Sequence, residues 1–189
     1  MEAATIQDQR YTKQEYFELL RSSQHKYEYL DGRVRLMAGG TAAHNDIVGN
    51  TYFALRSGTK TCQVKNSETA IATANRYVFP DASAVCEDEA LYEQGGIARL
   101  INPALVVEVI SESSDPYDRT EKFSAYRRLP SLREYLLIDS RRYLVETYYR
   151  EERDLWRIGN YFDLDQQIEV KTLGISVPMA VFYEGVDFS

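Results

Sequence analysis

The sequence predicts an α/β (α+β) domain in which helices flank a mixed sheet. Three observations lead there. The hydrophobic pattern runs helix, hairpin, helix, several short strands, one long strand, helix, then strands again. The stretch NPALVVEVIS, residues 102–111, is a dense aliphatic and β-branched run of the kind covered on both faces. The segments beyond residue 130 are strand-rich. With 189 residues, no internal repeat and no low-complexity linker, a single domain spanning 1–189 is expected.

Each element has a local reason. In YTKQEYFELLRSS, Thr12 is an N-cap and Glu15 completes a capping box. YEYLDGRVRLM is a hairpin: Tyr27–Leu30, an Asp31-Gly32 turn that demands positive φ, then residues 33–37. AGGTAAHND is a loop with Gly39-Gly40 as a hinge, and a second helix covers about 43–56. Short strands are expected at 62–64, 69–73, 77–79 and 82–86. The polar, Gly-Gly-containing stretch 87–99 reads as a mobile surface loop. After the 102–111 strand, the turn SESSDP leads into a helix at about 117–128, which Leu129-Pro130 stops. EYLLID, YLVETYYR, LWRIG and QIEVKTL follow as a hairpin meander at a sheet edge, and VPMAVFYEG as a short closing helix.

Composition narrows the function classes. Hydrophobic residues at 44% and charged residues at 27% suit a soluble globular domain with a core. No apolar run is long enough to cross a bilayer, and MEAATIQDQRYTKQEYF lacks a signal-peptide pattern, so a cytoplasmic protein without membrane association is expected. Cys62 and Cys86 are expected as reduced, half-buried thiols, and no Cys/His spacing suggests zinc. A net charge of −7 argues against an extended sequence-independent grip on nucleic acid, though it leaves room for a local basic groove. No glycine-rich phosphate fingerprint is present, which disfavours NTP and dinucleotide chemistry. Ser111, Ser113 and Ser114 have no histidine near in sequence, so a serine triad is disfavoured; these serines and Asp115 are expected to cap the next helix.

The chemistry concentrates on carboxylates. Glu108 sits in the middle of an apolar strand, where a lone charge costs several kcal/mol unless paired, protonated or metal-bound (order of magnitude). Asp81 follows Pro80 between two apolar segments, and the proline implies a strand break that aims the side chain. If the two strands are neighbours, the acids converge, and a Mg²⁺ or Mn²⁺ ion between them resolves both their repulsion and the burial of Glu108. The plainer alternatives are an arginine partner such as Arg127 for Glu108 and a turn role for Asp81. On the following helix Asp118, Lys122 and Tyr126 share a face. Lys122 is either half of an exposed ion pair or an ammonium aimed at the metal, where it orients the attacking water.

At this point the residues resemble a known family. YEYLDGRV, AAHND, FPDASAV, LVVEVIS, SDPYDRTEKFSAYRRL and REYLLID stand in the order seen in the Uma-two family, a bacterial group with a restriction-endonuclease-like fold within the PD-(D/E)XK nuclease superfamily. The resemblance runs over about 11–139. The resemblance implies an αβββαβ core with additional C-terminal edge strands, and a divalent-metal phosphodiesterase site acting on nucleic acid, with DNA as the expected substrate. It implies Asp81, Glu108 and the Val109 backbone carbonyl as metal ligands, Glu28 as an additional ligand directly or through water, and Lys122 in the catalytic lysine's role. The superfamily's usual lysine would fall at Ile110, so its task passes to Lys122 on the next helix. His44 is an auxiliary candidate against a local helix-entry role, and His25 a surface residue. Arg119 is a candidate phosphate contact together with Arg133, whereas Arg127 and Arg128 are read as solvated. A homodimer is expected by analogy with nucleases that cut both strands. Two other readings remain: an idle binding module that keeps the fold, and a hydrolase of a small phosphoester.

Overall fold

The computed structural model describes residues 9–37 and 39–188. Residues 1–8, part of the segment read for a leader pattern, and Ala38 of the predicted loop lie outside the described residues. Helix α1, Lys13–Ser22, begins with the expected capping box: Glu15 N–H donates to Thr12 Oγ1 while Thr12 N–H donates to Glu15 Oε2. Strands β1 (Tyr27–Leu30) and β2 (Arg33–Leu36) form the predicted hairpin, and Asp31 and Gly32 take φ of 53° and 89° at its turn. Helix α2, Ala42–Gly58, follows, with Thr41 as its N-cap.

Residues 63–85 form one long hairpin with a break in each arm. Strand β3 (Gln63–Asn66) pairs with β6 (Ala82–Val85), and β4 (Thr69–Ala72) pairs with β5 (Arg76–Val78). Between the pairs Asn66↔Ala82 and Ile71↔Val78, one arm has residues 67–70 and the other 79–81, one fewer. Pro80 lies in the shorter gap and Asp81 beside it, so the hairpin kinks there and passes from one sheet to the other.

Strands β7 (Leu91–Gln94) and β8 (Ile97–Leu100) come next, then β9 (Leu105–Ile110), wholly buried. The chain then winds through α3 (Asp115–Tyr117), a π-helical turn at Asp118–Lys122, and α4 (Phe123–Tyr126). Strands β10 (Glu134–Asp139), β11 (Val145–Arg150) and β12 (Trp156–Tyr161) form an antiparallel meander. Strands β13 (Gln167–Val170) and β14 (Ile175–Pro178) and helix α5 (Met179–Phe182) complete the fold.

The mixed α+β class holds, with the strands divided into two six-stranded sheets, β2-β1-β5-β4-β8-β7 and β12-β11-β10-β9-β6-β3, and the ribbon β13-β14. Each large sheet contains one parallel pair, β4 with β8 and β9 with β10. Strand β9 lies between β6 and β10, and its side chains alternate between two cores. Leu105, Val107 and Val109 pack with Ile47 and Leu55 of α2 and with Met179 and Phe182 of α5. Val106 and Ile110 pack with Tyr126, Leu132 and Tyr135. Glu108 therefore points toward the helical run 115–126. Each such aliphatic chain contributes about 1.5–3 kcal/mol when fully buried.

Several expectations need correction. The stretch 87–99 is not a loop throughout but contains the β7–β8 hairpin, turned by Gly95 and Gly96 at φ of 65° and 84°. All four residues of β7 are exposed, so no hydrophobic alternation marks it. Cys62 and Cys86 are not free thiols; they are joined in a disulfide. They flank β3 and β6, where the register Gln63↔Val85 puts them opposite one another. Strand β13 does not extend the meander but pairs with β14. Ser114 makes no side-chain cap to the helix; its Oγ instead accepts from Ser111 N–H. Among the described residues no helix is long and apolar enough to cross a membrane.

Candidate functional site

The kink after β5, the middle of β1, the far half of β9 and the π turn meet at one end of the sheets. The kink leaves a backbone N–H and C=O at Phe79 without sheet partners. Glu28 Oε1 accepts from Phe79 N–H at 3.2 Å, and Lys122 Nζ stands 3.4 Å from the Phe79 carbonyl. Beyond Val107 strand β9 outruns its pairing with β6, and the freed Val109 N–H donates to Asp81 Oδ2 at 2.7 Å. Asp81 and Glu108 are thus brought to one place by the break that Pro80 causes.

Lys122 is the hub. Its ammonium lies 2.9 Å from Glu108 Oε2, 3.4 Å from Asp118 Oδ1 and 3.5 Å from Glu28 Oε1, and the residue is only 6% exposed. The Asp118–Lys122 pair is buried, so of the two readings the exposed ion pair does not hold. Arg127, the alternative partner of Glu108, is exposed, and Tyr126 takes the second oxygen instead, donating to Glu108 Oε1 at 2.9 Å. The π turn sets this geometry: Phe123 N–H reaches back to Asp118 O, and Tyr135 Oη donates to the same carbonyl. Glu28 also accepts from Tyr117 Oη at 3.1 Å.

Four carboxylates, Glu28, Asp81, Glu108 and Asp118, share this region with few cations. Burial pushes the Glu108 carboxyl well above its ordinary value, with the Lys122 ammonium opposing. Burial also raises Asp81, against the pull of His44 and Lys122. Burial disfavours charge on Lys122, but Glu108, Glu28 and Asp118 outweigh it and hold the ammonium protonated. The four carboxylates outnumber the cations that touch them, Lys122 and Arg35, and this excess is what burial and the Lys122 ammonium act against.

A cleft of about 490 Å³ opens over these groups, lined by Glu28, Asp81, Glu108, Val109, Lys122 and His44 among others. His44 Nε2 is 3.8 Å from Asp81 Oδ2, while its buried Nδ1 has no partner among the described residues. Gly40 is more than a hinge here, because a side chain on it would run into the His44 ring and Asn45. Arg119 does not reach the cleft; Asp115 and Glu146 hold its guanidinium. Arg133 lies at the opposite end of the second sheet, and Arg128 and His25 are exposed.

Sequence reasoning missed Arg35, Tyr117 and Arg141. Arg35 sits directly across the hairpin from Glu28, a pairing that a two-residue turn at Asp31-Gly32 already dictates. Its guanidinium stacks 3.7 Å from the Tyr117 ring centre. Arg141 lines the cleft from the β10–β11 turn and bonds Asp139 and Asp115.

The donor set is made of hard oxygens, which fits Mg²⁺ or Mn²⁺ by chemistry. Among the described residues no three His, Cys, Asp or Glu side chains stand close enough to hold an ion as they are. Both Glu108 oxygens are engaged, one by the Lys122 ammonium and the other by the Tyr126 hydroxyl.

Known proteins resemble this chain in sequence and in fold. An uncharacterised protein of Synechocystis, slr1290, is 32% identical over 179 residues, covering 93% of this chain and 92% of that protein. A second one, sll1609, is 30% identical over 168 residues, covering 87% of this chain and 94% of the other. The crystal structure of "a putative nuclease belonging to DUF820" from Anabaena variabilis shares the fold, with a TM-score of 0.70 at 15% identity, over 85% of this chain and 91% of that one. The Uma2 family model, described as "Putative restriction endonuclease", matches residues 13–180, and the chain belongs to that family.

Proposed function

We propose that this protein is a divalent-metal-dependent endonuclease that hydrolyses phosphodiester bonds in DNA. The observation that carries the reading is the gathering of Glu28, Asp81, Glu108 and Lys122, from four separate segments, at the floor of one cleft. The family description and the printed name of the structural relative support it. A cytoplasmic setting goes with this substrate.

Asp81, Glu108 and the Val109 carbonyl would hold the ion, with Glu28 direct or through water. In a strand the N–H and C=O of a residue face the same edge, so the Val109 carbonyl shares the edge from which its N–H meets Asp81. When bound, the metal supplies Lewis-acid polarisation of the phosphoryl group and lowers the pKa of a bound water. Lys122 must loosen from Glu108 to free a ligand oxygen, and its ammonium then positions the attacking water and offsets charge developing on phosphorus. Tyr126 keeps Glu108 oriented through its other oxygen. His44, beside Asp81, assists in placing that carboxylate or moving a proton.

The test is cleavage of circular single-stranded and duplex DNA with Mg²⁺ or Mn²⁺, read on gels. The wild type should cut at least one circular form, and Asp81→Ala and Glu108→Ala should leave it intact. Cleavage unaffected by either substitution, or none by the wild type, defeats the proposal.

A further inference from the structure

We propose that the cleft takes a single, flexible nucleic-acid strand, with Arg35 gripping its phosphate, and does not take a rigid duplex. This rests on the nuclease reading above and names its substrate class. Depth is the first argument. Glu28 and Glu108 are each only 2% exposed, so a reacting phosphate must descend to the floor. Duplex DNA carries its phosphates on a rod with a persistence length of about 50 nm, and bending it into a pocket is costly. A single strand has no such stiffness and can lead one phosphodiester inward. The cleft's 490 Å³ is of small-ligand size, with Leu36, Met37 and Phe79 giving an apolar wall for a base.

Charge is the second argument. A duplex is held by a basic track, but this chain carries net −7 and the cleft rim bears Glu112. Of the cleft's cations, Lys122 is surrounded by carboxylates, and Arg141 is bonded to Asp139 and Asp115. Arg35 differs. Its side chain is 11% exposed, it lies flat on Tyr117, and its nearest carboxylate oxygen, Glu28 Oε2, is 3.9 Å away, beyond hydrogen-bond reach. A guanidinium has five N–H donors; among the described residues only Tyr117 and the more distant Glu28 engage those of Arg35, and the remaining donors can bind two oxygens of an oxyanion. One cleft working on one strand needs no second copy, so the expectation of a dimer, drawn from duplex cutting, does not follow from this site.

The test is fluorescence anisotropy of a short labelled oligodeoxynucleotide in EDTA at low salt, single-stranded and as its duplex, with thymidine monophosphate as competitor. The single strand should bind at least about tenfold tighter than the duplex. Arg35→Gln should lose roughly tenfold in single-strand affinity, and Arg35→Lys should keep part of it. Equal or tighter duplex binding overturns the inference, as does an Arg35→Gln variant that binds like the wild type. Competition by the mononucleotide at oligonucleotide concentrations overturns it in favour of a small phosphoester. Adding Mg²⁺ or Mn²⁺ separates the two claims: duplex cut as fast as single strand defeats the inference alone, whereas a tightly bound single strand left uncut defeats the nuclease reading and upholds the strand preference.

Discussion

Two buried glutamates lie in the parallel pair β9–β10, Glu134 at the start of β10 opposite Leu105 and Glu108 three positions further along β9. Glu108 is 2% exposed and Glu134 is 1% exposed, and burial raises the carboxyl pKa of both. Their partners separate them. Glu134 accepts from the backbone N–H groups of Lys171 and Thr172, at 3.3 and 2.8 Å. Those amides are fixed, so Glu134 fastens the turn after β13 to the sheet. The Cys62–Cys86 disulfide staples the same end, with the Cys86 sulfur 3.8 Å from the Thr172 carbonyl oxygen. Glu108 is instead held by two buried side chains, the Lys122 ammonium and the Tyr126 phenol, under an open cleft. A buried carboxylate is therefore no sign of chemistry by itself. What separates Glu108 from Glu134 is the cleft above it and the other carboxylates, Glu28, Asp81 and Asp118, gathered around it.

The contrast yields graded tests. The largest effect is expected for Glu108→Ala, which should lower metal-dependent cleavage by more than about a hundredfold while the protein still folds. Glu134→Ala should leave cleavage near wild type, and the same loss in both variants would erase the distinction. Next comes the disulfide. Reduction, or Cys62→Ala, should lower unfolding stability by about 2–4 kcal/mol without changing metal affinity. Glu134→Ala should destabilise by about 1–3 kcal/mol, since two buried N–H groups lose their acceptor. Tyr126→Phe should cost about 1 kcal/mol and shift cleavage modestly, because Glu108 loses one of its two hydrogen bonds.

The smallest effect concerns pH. Burial, only partly offset by the Thr172 and Lys171 amides, lifts the folded Glu134 carboxyl above its ordinary 4.5. The folded state then binds this proton more tightly than the unfolded state does. The favourable contribution is fullest below 4.5 and declines as pH rises through the folded pKa. Any destabilisation by Glu134→Gln should therefore shrink with rising pH across that window, as urea unfolding at several pH values would show. A penalty that grows with pH would mean that the carboxylate is better accommodated charged than protonated.

Much of the cleft was legible in the sequence because its signals are local. A charged residue inside LVVEVIS announces a buried acid, and Pro80 announces the break that aims Asp81. The Asp31-Gly32 turn sets the register of its hairpin, from which the Glu28–Arg35 pair follows. What stayed hidden depends on contacts distant in sequence. Glu134 opens EYLLID, and nothing local in the sequence shows that Lys171 and Thr172 fold onto it. Arg119 looked free because its partner Glu146 lies two strands onward. The disulfide required knowing that β3 pairs with β6, and the π turn alters a helical spacing that the pattern alone reads as regular.

Titration of Mn²⁺ by calorimetry into wild type, Asp81→Ala and Glu134→Ala bears most directly on the claim that the surplus carboxylates of the cleft hold a divalent cation. One site per chain is expected in the wild type, retained in Glu134→Ala and weakened at least about tenfold in Asp81→Ala. A wild type that takes up no Mn²⁺, or an Asp81→Ala variant that binds it equally well, would contradict the claim.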